Sequence, residues 1–233
     1  MGKLITADEV KEIFTAAITK SLEEGNKDRK PTYHVTSLVY GCPRKSIWEK
    51  RDAEIARKLD IEGDGIFKVW MGTELHKTPI TKMHEVELQY EKHGIVLTGT
   101  IDEVIELDGK FYILDKKFVD NTPREMRPHH RTQVAYYAVL LKLLKYITVE
   151  GIILLYYNTG LRDEWRVTPF IEPFTDTDYI NYENELNSRM KDIADNEKNA
   201  LPPNIFSKAE WICGYCKYRE ICKREWQDNH DNS

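Results

Sequence analysis

The chain has 233 residues, enough for one well-buried domain of ordinary size. A charged fraction of 31% indicates a soluble globular protein, and a net charge of −5 argues against a generally basic nucleic-acid coat, although not against a local basic groove. The sequence contains no run of about 18 apolar residues and no charged-then-apolar leader, so we expect a cytoplasmic protein without a membrane partner.

The first part of the chain predicts helices. Residues 6–24 space their apolar side chains as a helix does, and the charged stretch 23–30 predicts a loop. The Cys-Pro-Arg sequence at 42–44 predicts the start of a second helix, because proline is well tolerated in a first helical turn. The Gly-Asp-Gly sequence at 63–65 is a break before a third helix, and Pro79 limits the extent of that helix.

The middle of the chain predicts strands joined by tight turns. Three strand-like runs cover 84–91, 94–106 and 110–119, and the pairs His93-Gly94 and Asp108-Gly109 between them are hairpin turn signals. The elements expected after them are a long helix at 124–146, a buried strand at 151–157, a short strand at 165–167, a helix at 176–196 and a linker at 201–204. This order predicts an α/β fold with a mixed sheet flanked by helices.

Acidic residues close two consecutive predicted strands. Asp102 lies near the end of one strand, and Asp115 and Lys117 lie near the end of the next, projecting from the same face. Each residue alone is explained by a solvent-facing carboxylate or a surface ion pair, but aspartate is disfavoured in strands and here it recurs. Two carboxylates beside an ammonium can hold a hard divalent cation, an arrangement that favours metal-assisted phosphodiester hydrolysis.

Polar side chains on two predicted helices are further candidates. His76 lies four residues after Gly72 on one helical face, although a lone helical histidine is more often structural or exposed. Gln133 and Tyr137 are also four residues apart, with His130 three residues before Gln133. They either face the sheet edge that carries the acidic residues or belong to an amphipathic helix with a buried tyrosine.

The chain contains four cysteines, Cys42, Cys213, Cys216 and Cys222. In a cytosolic protein such a set favours a metal site over disulfides. Zinc bound by four thiolates is one alternative, but ordinary zinc ribbons use two C-x2-C pairs, whereas this chain has one pair and two single cysteines. Thiolates that share one ion or cluster would clasp the two ends of the chain together.

Basic residues accompany both candidate sites, with aromatic residues between them. The set comprises Arg44, Lys45, Lys50, Arg51, Arg124, Arg127, Arg131, Lys217, Arg219, Lys223 and Arg224, with Trp48, Trp211, Tyr215 and Tyr218. Such a mixture suits a channel that follows phosphates and stacks unpaired bases. Solvated helix faces are the simpler explanation.

Taken in order, these motifs resemble those of RecB-type nucleases in the PD-(D/E)XK superfamily. The matching segments are Gly72-x3-His76, Gly99-Thr100-Ile101-Asp102-Glu103, Asp115-x-Lys117 and Gln133-x3-Tyr137. With the four cysteines, the pattern over residues 35–225 is similar to the CRISPR-associated branch of that family, the Cas "four" exonucleases. One difference is Asp115, because many members carry the longer glutamate at this position.

The resemblance implies a restriction-endonuclease-like core with a C-terminal cysteine segment clasped to an N-terminal helix. A single domain over 1–233 would comprise an N-terminal helical part at 1–62, a nuclease core at 63–200 and an iron–sulfur segment at 201–233.

The resemblance also implies roles for individual residues. His76, Asp102 and Asp115 would ligate Mn²⁺ or Mg²⁺ together with a backbone carbonyl near Lys116. Lys117 would position or help deprotonate the attacking water, and Gln133 and Tyr137 would orient the substrate strand or the lysine. Cys42, Cys213, Cys216 and Cys222 would hold an iron–sulfur cluster, most often [4Fe–4S] in this family.

The function implied is a metal-dependent DNA exonuclease that acts mainly on single strands or on DNA ends with overhangs. By family analogy it would process DNA ends in CRISPR spacer acquisition, with integrase subunits as partners. Two alternatives stay open: a RecB-like recombination, repair or virus-encoded nuclease without a CRISPR role, and a non-catalytic iron–sulfur DNA-binding assembly subunit. The sequence has no G-x4-G-K-[ST] phosphate loop, so it contains no ATP motor.

Overall fold

The structure, a computed structural model, describes residues 7–26, 32–51, 64–158, 166–199, 202–203, 213, 216 and 218–222. Its helices are α1 (Ala7–Asn26), α2 (Val35–Leu38), α3 (Pro43–Arg51), α4 (Asp64–His76), α5 (Pro128–Lys145) and α6 (Asp176–Asn196). Its strands are β1 (Tyr33–His34), β2 (Met83–Lys92), β3 (Ile95–Leu107), β4 (Lys110–Val119), β5 (Val149–Asn158) and β6 (Arg166–Pro173).

The described strands form one mixed sheet in which β3 has three partners. β2 pairs antiparallel with β3 along nearly all of its length. β1 and β4 therefore share the other edge of β3, where β1 pairs in parallel at Leu97 and Thr98 and β4 pairs antiparallel from Glu103 onward. β5 continues the sheet in parallel with β4, and β6 pairs antiparallel with β5. Residues 99–102 thus lie between two partners on one edge of β3.

Both hairpins of the β2–β3–β4 meander close through the predicted turns. His93 and Gly94 have φ angles of 56° and 74°, and Asp108 and Gly109 have φ angles of 52° and 73°. Positive φ at both central residues is the geometry of a type I′ turn, whose twist matches that of the flanking strands.

Helix α5 connects the parallel strands β4 and β5 and lies at the centre of the core. Residues 133–141 are all buried, so this helix is enclosed on every side rather than on one stripe. It begins at Pro128, four residues after the predicted start, with Arg127 in an extended conformation. The residue that precedes a proline is disfavoured in a helix, which explains the later start.

The predicted α/β class with a helix-flanked mixed sheet is confirmed. β1 and α2 were not predicted, because they are too short to show a periodic pattern. β6 extends to Pro173, beyond the predicted end at 167, since an edge strand tolerates Pro169 and Pro173. Among the described helices, none is long and apolar enough to span a membrane. The predicted subdivision of the chain stays a prediction.

Candidate active site

Asp102 lies at a fork where β3 and β4 separate. Their pairing ends at Glu103 and Leu114, beyond which β4 continues beside β5. Oδ2 of Asp102 accepts a hydrogen bond from the backbone N–H of Lys116 at 2.7 Å, and this contact bridges the two strands just past their last pair. Oδ1 lies 2.9 Å from Nδ1 of His76, the last residue of α4. One carboxylate therefore connects β3 to both β4 and α4.

Asp115 and Lys117 form a pair that helix α5 holds in place. The Nζ atom of Lys117 lies 2.7 Å from Oδ2 of Asp115 and donates a hydrogen bond to Oε1 of Gln133 at 3.1 Å. The Nε2 atom of Gln133 donates to Oδ1 of Asp115 and to the hydroxyl of Tyr137, both at 3.4 Å. The structure thus brings the predicted polar residues of β4 and α5 together, with Gln133 as the link.

Gly99 on β3 allows α5 to approach this closely. A Cβ atom at this position would lie 2.7 Å from Cε1 of Tyr137 and 2.9 Å from Cγ2 of Val35, closer than real contacts allow. The glycine of the sequence motif therefore has a packing reason, since it makes room for the tyrosine one turn beyond Gln133.

The carboxylate of Asp115 is almost completely buried and incompletely satisfied. Its side chain is 1% exposed, and Oδ2 has no hydrogen bond. The Lys117 ammonium lies 2.7 Å from this oxygen and forms an ion pair with it. Burial raises the pKa of Asp115 to about 6, and the Asp102 charge adds to this rise while Lys117 opposes it. A buried carboxylate oxygen without a hydrogen bond is suited to contact a cation.

Glu85 on β2 belongs to the same site, although the sequence analysis did not identify it. A ring nitrogen of His76 and carboxylate oxygens of Glu85 and Asp102 all lie within 4.8 Å of one another. Asp115 does not belong to this close group. The predicted set of His76, Asp102 and Asp115 is therefore centred on Asp102, which touches His76 directly and lies beside Asp115 across the fork.

The backbone of Glu85 explains why it was missed. Its neighbours pair with β3 so that Glu85 lies opposite Asp102, yet its φ of 48° is in the left-handed region. A signal was present in the sequence: after Met83, the next apolar residue is Val86, three positions later, where a regular strand would repeat every two.

The donor set fits a hard divalent cation. Carboxylate oxygens with one imidazole nitrogen suit Mn²⁺ and Mg²⁺. Partial burial raises the pKa of Glu85, the neighbouring Asp102 charge raises it further, and a hydrogen bond to Asp102 raises the pKa of His76. These shifts reflect carboxylates crowded at one point, and a bound cation would offset their mutual repulsion.

A groove of about 610 Å³ opens beside these residues. His76 and Lys117 lie on its wall, together with Lys68 of α4 and Arg127 at the start of α5. Lys68 also pairs with Asp120 at 2.8 Å, and both side chains are about half exposed. Three cationic side chains along one groove suit a chain of phosphates.

Most of the other basic residues proposed for a DNA channel that the structure describes are engaged within the protein. Arg44 is buried, Lys45 pairs with Glu49, Lys50 pairs with Glu197, and Arg131 pairs with Glu172. Trp48 packs edge-on against Tyr218, with ring centroids 5.2 Å apart. Trp211, Tyr215, Lys217, Lys223 and Arg224 lie outside the described residues. In the described part of the chain, the groove beside Lys117 is therefore the better candidate for phosphate contacts.

The cysteine-bearing segments approach each other. No disulfide joins any of the four cysteines. Arg44 donates from Nε to the carbonyl of Pro202 at 2.6 Å and from Nη1 to Sγ of Cys222 at 3.7 Å, which binds the C-terminal segment to α3. Burial raises the pKa of Cys216 and of Cys222. No three described cysteine sulfurs lie within 4.8 Å of one another, so they do not form a compact site for a single ion, and the iron–sulfur site stays a prediction.

Comparison with known proteins agrees with this fold. The family described as the PD-(D/E)XK nuclease superfamily matches residues 13–223. The crystal structure of SSO0001 is similar with a TM-score of 0.60 at 20% sequence identity, over 90% of this chain and 96% of that one. A candidate exonuclease from Eubacterium rectale gives a TM-score of 0.41 at 12% identity, over 88% of this chain and 72% of that one. No curated protein matches the sequence.

Proposed function

Because the chain belongs to the PD-(D/E)XK nuclease superfamily, we propose that it is a metal-dependent exonuclease that hydrolyses single-stranded DNA and overhanging ends. The observation that carries this proposal is the arrangement at the fork. Asp102 lies beside Asp115 across the two strands, and the Lys117 ammonium lies 2.7 Å from the buried Oδ2 of Asp115.

His76, Glu85 and Asp102 would hold Mn²⁺ or Mg²⁺, with Asp115 contributing from the adjacent strand. The close approach of the first three side chains and the incompletely bonded oxygen of the fourth support this assignment. When bound, the cation supplies Lewis-acid stabilisation of the negative charge that develops on the phosphate.

Lys117 is the residue that would act on the reacting groups. Its ammonium is held between Asp115 and Gln133 on the wall of the groove, where it can donate a hydrogen bond to a phosphate oxygen or to the attacking water. Gln133 and Tyr137 are positioning residues, because they fix the pair formed by Lys117 and Asp115. In the net reaction one water adds across one phosphodiester bond: its hydroxyl goes to phosphorus and its proton to the departing ester oxygen.

The groove supports the preference for single strands and ends. Its volume of about 610 Å³ has room for a few nucleotides beside Lys117. Lys68 and Arg127 would bind the phosphates on either side of the scissile one.

We extend the proposal to context and cofactor on the resemblance of the motifs. The protein would trim DNA ends before spacer acquisition, alongside CRISPR integrase subunits, and Cys42, Cys213, Cys216 and Cys222 would carry a [4Fe–4S] cluster. The contact of Arg44 with Cys222 supports this, since it brings the C-terminal cysteines toward the helix that follows Cys42. Iron and acid-labile sulfide measured after anaerobic purification test the cluster, and stoichiometric zinc in a colourless protein would overturn it.

The function is tested by digestion of oligonucleotides labelled at the 5′ or the 3′ end, single- and double-stranded, with Mn²⁺ or with EDTA. We expect Mn²⁺-dependent release of short products from single strands by the wild-type protein and none by Asp115→Asn. An intact, folded wild-type protein that leaves every substrate uncut with Mn²⁺ and with Mg²⁺ would favour the non-catalytic DNA-binding subunit.

A further inference from the structure

A fully buried ion pair lies on the opposite side of the sheet from the ligands. Successive side chains of a strand alternate between faces, so Glu103 and Lys116 point away from Asp102, Asp115 and Lys117. The Nζ atom of Lys116 lies 2.7 Å from Oε1 of Glu103, and the two side chains are 1% and 0% exposed. Both side chains are closed off from solvent, although Lys116 is among the residues that line the groove.

Both members of the pair bind the connection between α4 and β2. Lys116 donates to the carbonyl of Thr78 at 2.6 Å. Glu103 accepts from the backbone N–H of Ile80 at 2.8 Å, from that of Thr81 at 3.0 Å and from the Thr81 hydroxyl at 2.8 Å. Every hydrogen bond described for the two charged groups, other than the one between them, goes to these three residues.

The connection carries a cation ligand at each end. His76 lies two residues before Thr78, and Glu85 lies four residues after Thr81. Apolar packing contributes little to holding the connection, because Ile80 is 53% exposed and Thr78 and Pro79 are exposed as well. The directed hydrogen bonds of the buried pair, together with the 3.2 Å contact of the Thr81 hydroxyl to the Val104 carbonyl, therefore hold the connection against β3 and β4.

We infer that Glu103 and Lys116 are positioning residues for the cation site: through the connection 77–82 they set the places of His76 and Glu85 around Asp102. An apolar pair of similar volume would fill the same space with equal or greater stability. What the charged pair adds is the set of hydrogen bonds to the connection. The inference rests on the proposed function, because it assumes that His76 and Glu85 bind a cation.

The test replaces both charges by apolar side chains in the double variant Glu103→Leu/Lys116→Met. Mn²⁺ binding is measured by calorimetry without DNA, and thermal unfolding is measured without metal. We expect a cooperative unfolding transition within a few degrees of wild type, but Mn²⁺ affinity weaker by about 10- to 100-fold, the usual effect of removing outer-shell partners. The control Lys191→Ala/Asp195→Ala removes an exposed ion pair on α6 and should bind Mn²⁺ like wild type.

Each outcome decides between the two proposals. A folded double variant that binds Mn²⁺ as tightly as wild type overturns the positioning role and leaves the proposed function intact. A wild-type protein that binds no Mn²⁺ overturns the proposed function itself. If the double variant does not fold, Thr81→Val replaces it: this near-isosteric change removes the hydroxyl that bonds Glu103 at 2.8 Å and that also lies 3.1 Å from the Met83 carbonyl and 3.2 Å from the Val104 carbonyl. Unchanged Mn²⁺ affinity in that variant overturns the inference.

Discussion

The carboxylate of Asp102 accepts a hydrogen bond from the backbone N–H of Lys116 at 2.7 Å, where β3 and β4 separate. The same carboxylate contacts His76 through its other oxygen. Asp102 therefore has two roles: its hydrogen bond to Lys116 connects the two strands, and its other oxygen is a candidate cation ligand. Substitutions at this one position can separate the two.

Asp102→Asn should abolish cleavage and preserve the fold. The amide oxygen can still accept from Lys116, but the lost charge removes a ligand whose cation supplies several kcal/mol, so we expect a rate loss of about 10²-fold or more. Asp102→Ala should lose the same activity and also about 1–3 kcal/mol of unfolding free energy, because a buried N–H is left unpaired. Initial cleavage rates measure the activity of each variant, and urea unfolding measures its unfolding free energy. Wild-type-like cleavage by the asparagine variant would contradict the assignment.

Glu85→Gln should weaken Mn²⁺ binding by at least about tenfold, since even groups outside the ligand set contribute that much. Glu87→Gln is the matched control. It removes the same charge from an exposed residue two positions later on the same strand. Calorimetric titration with Mn²⁺ compares the two. Equal affinities in both variants would remove Glu85 from the site.

The alternation of side chains along strands and the residue types at turns predicted the candidate residues that lie on regular strands. Asp102, Asp115 and Lys117 follow from the strand pattern, and the two I′ turns follow from His93-Gly94 and Asp108-Gly109. Glu85 was missed because its left-handed backbone interrupts the alternation of β2.

Contacts between distant segments account for most of what the sequence could not predict. Lys50 pairs with Glu197 and Arg131 with Glu172, so these cations bind within the protein rather than facing a DNA channel. Periodicity predicts which face of an element a charged side chain lies on, but not which residue of a distant segment it pairs with. The pairing of Lys116 with Glu103 is of this kind.

Gly99→Ala should destabilise the protein by about 1–3 kcal/mol, because the added methyl group would overlap Tyr137 and Val35. It should also slow cleavage, since displacement of Tyr137 disturbs Gln133. Gly72→Ala is the contrasting case: the nearest atom to its Cβ would be Phe118 Cβ at 4.0 Å, an ordinary contact. In the helix interior this change should stabilise by roughly 0.5–1 kcal/mol. We expect the thermal unfolding temperature to be lower than wild type in Gly99→Ala and higher than wild type in Gly72→Ala.

His130 should make the protein less stable in mild acid. Burial lowers its pKa to about 2, with the charges of Lys117, His129 and Arg127 acting in the same direction. In the unfolded chain its pKa is about 6.5, so below that pH the unfolded state binds a proton that the folded state does not. The contribution of His130 to the unfolding free energy should then fall by up to about 2 kcal/mol between pH 6.5 and pH 5, while the raised pKa of Asp115 acts in the opposite direction.

His130→Asn should reduce this loss, because asparagine cannot titrate. Urea unfolding of both proteins at several pH values, without divalent metal, provides the comparison. An asparagine variant that loses as much stability as wild type between pH 6.5 and pH 5 would contradict the prediction.

The type I′ turn at His93-Gly94 also bears on the order in which the site forms during folding. It places Glu85 and Asp102 on one hairpin, whose contacts are local and form quickly. Gln133 arrives only when the whole crossover through α5 has closed the parallel pair β4–β5, a slower event. A newly synthesised chain would therefore bring Glu85 and Asp102 together before Gln133 is in place to hold Lys117.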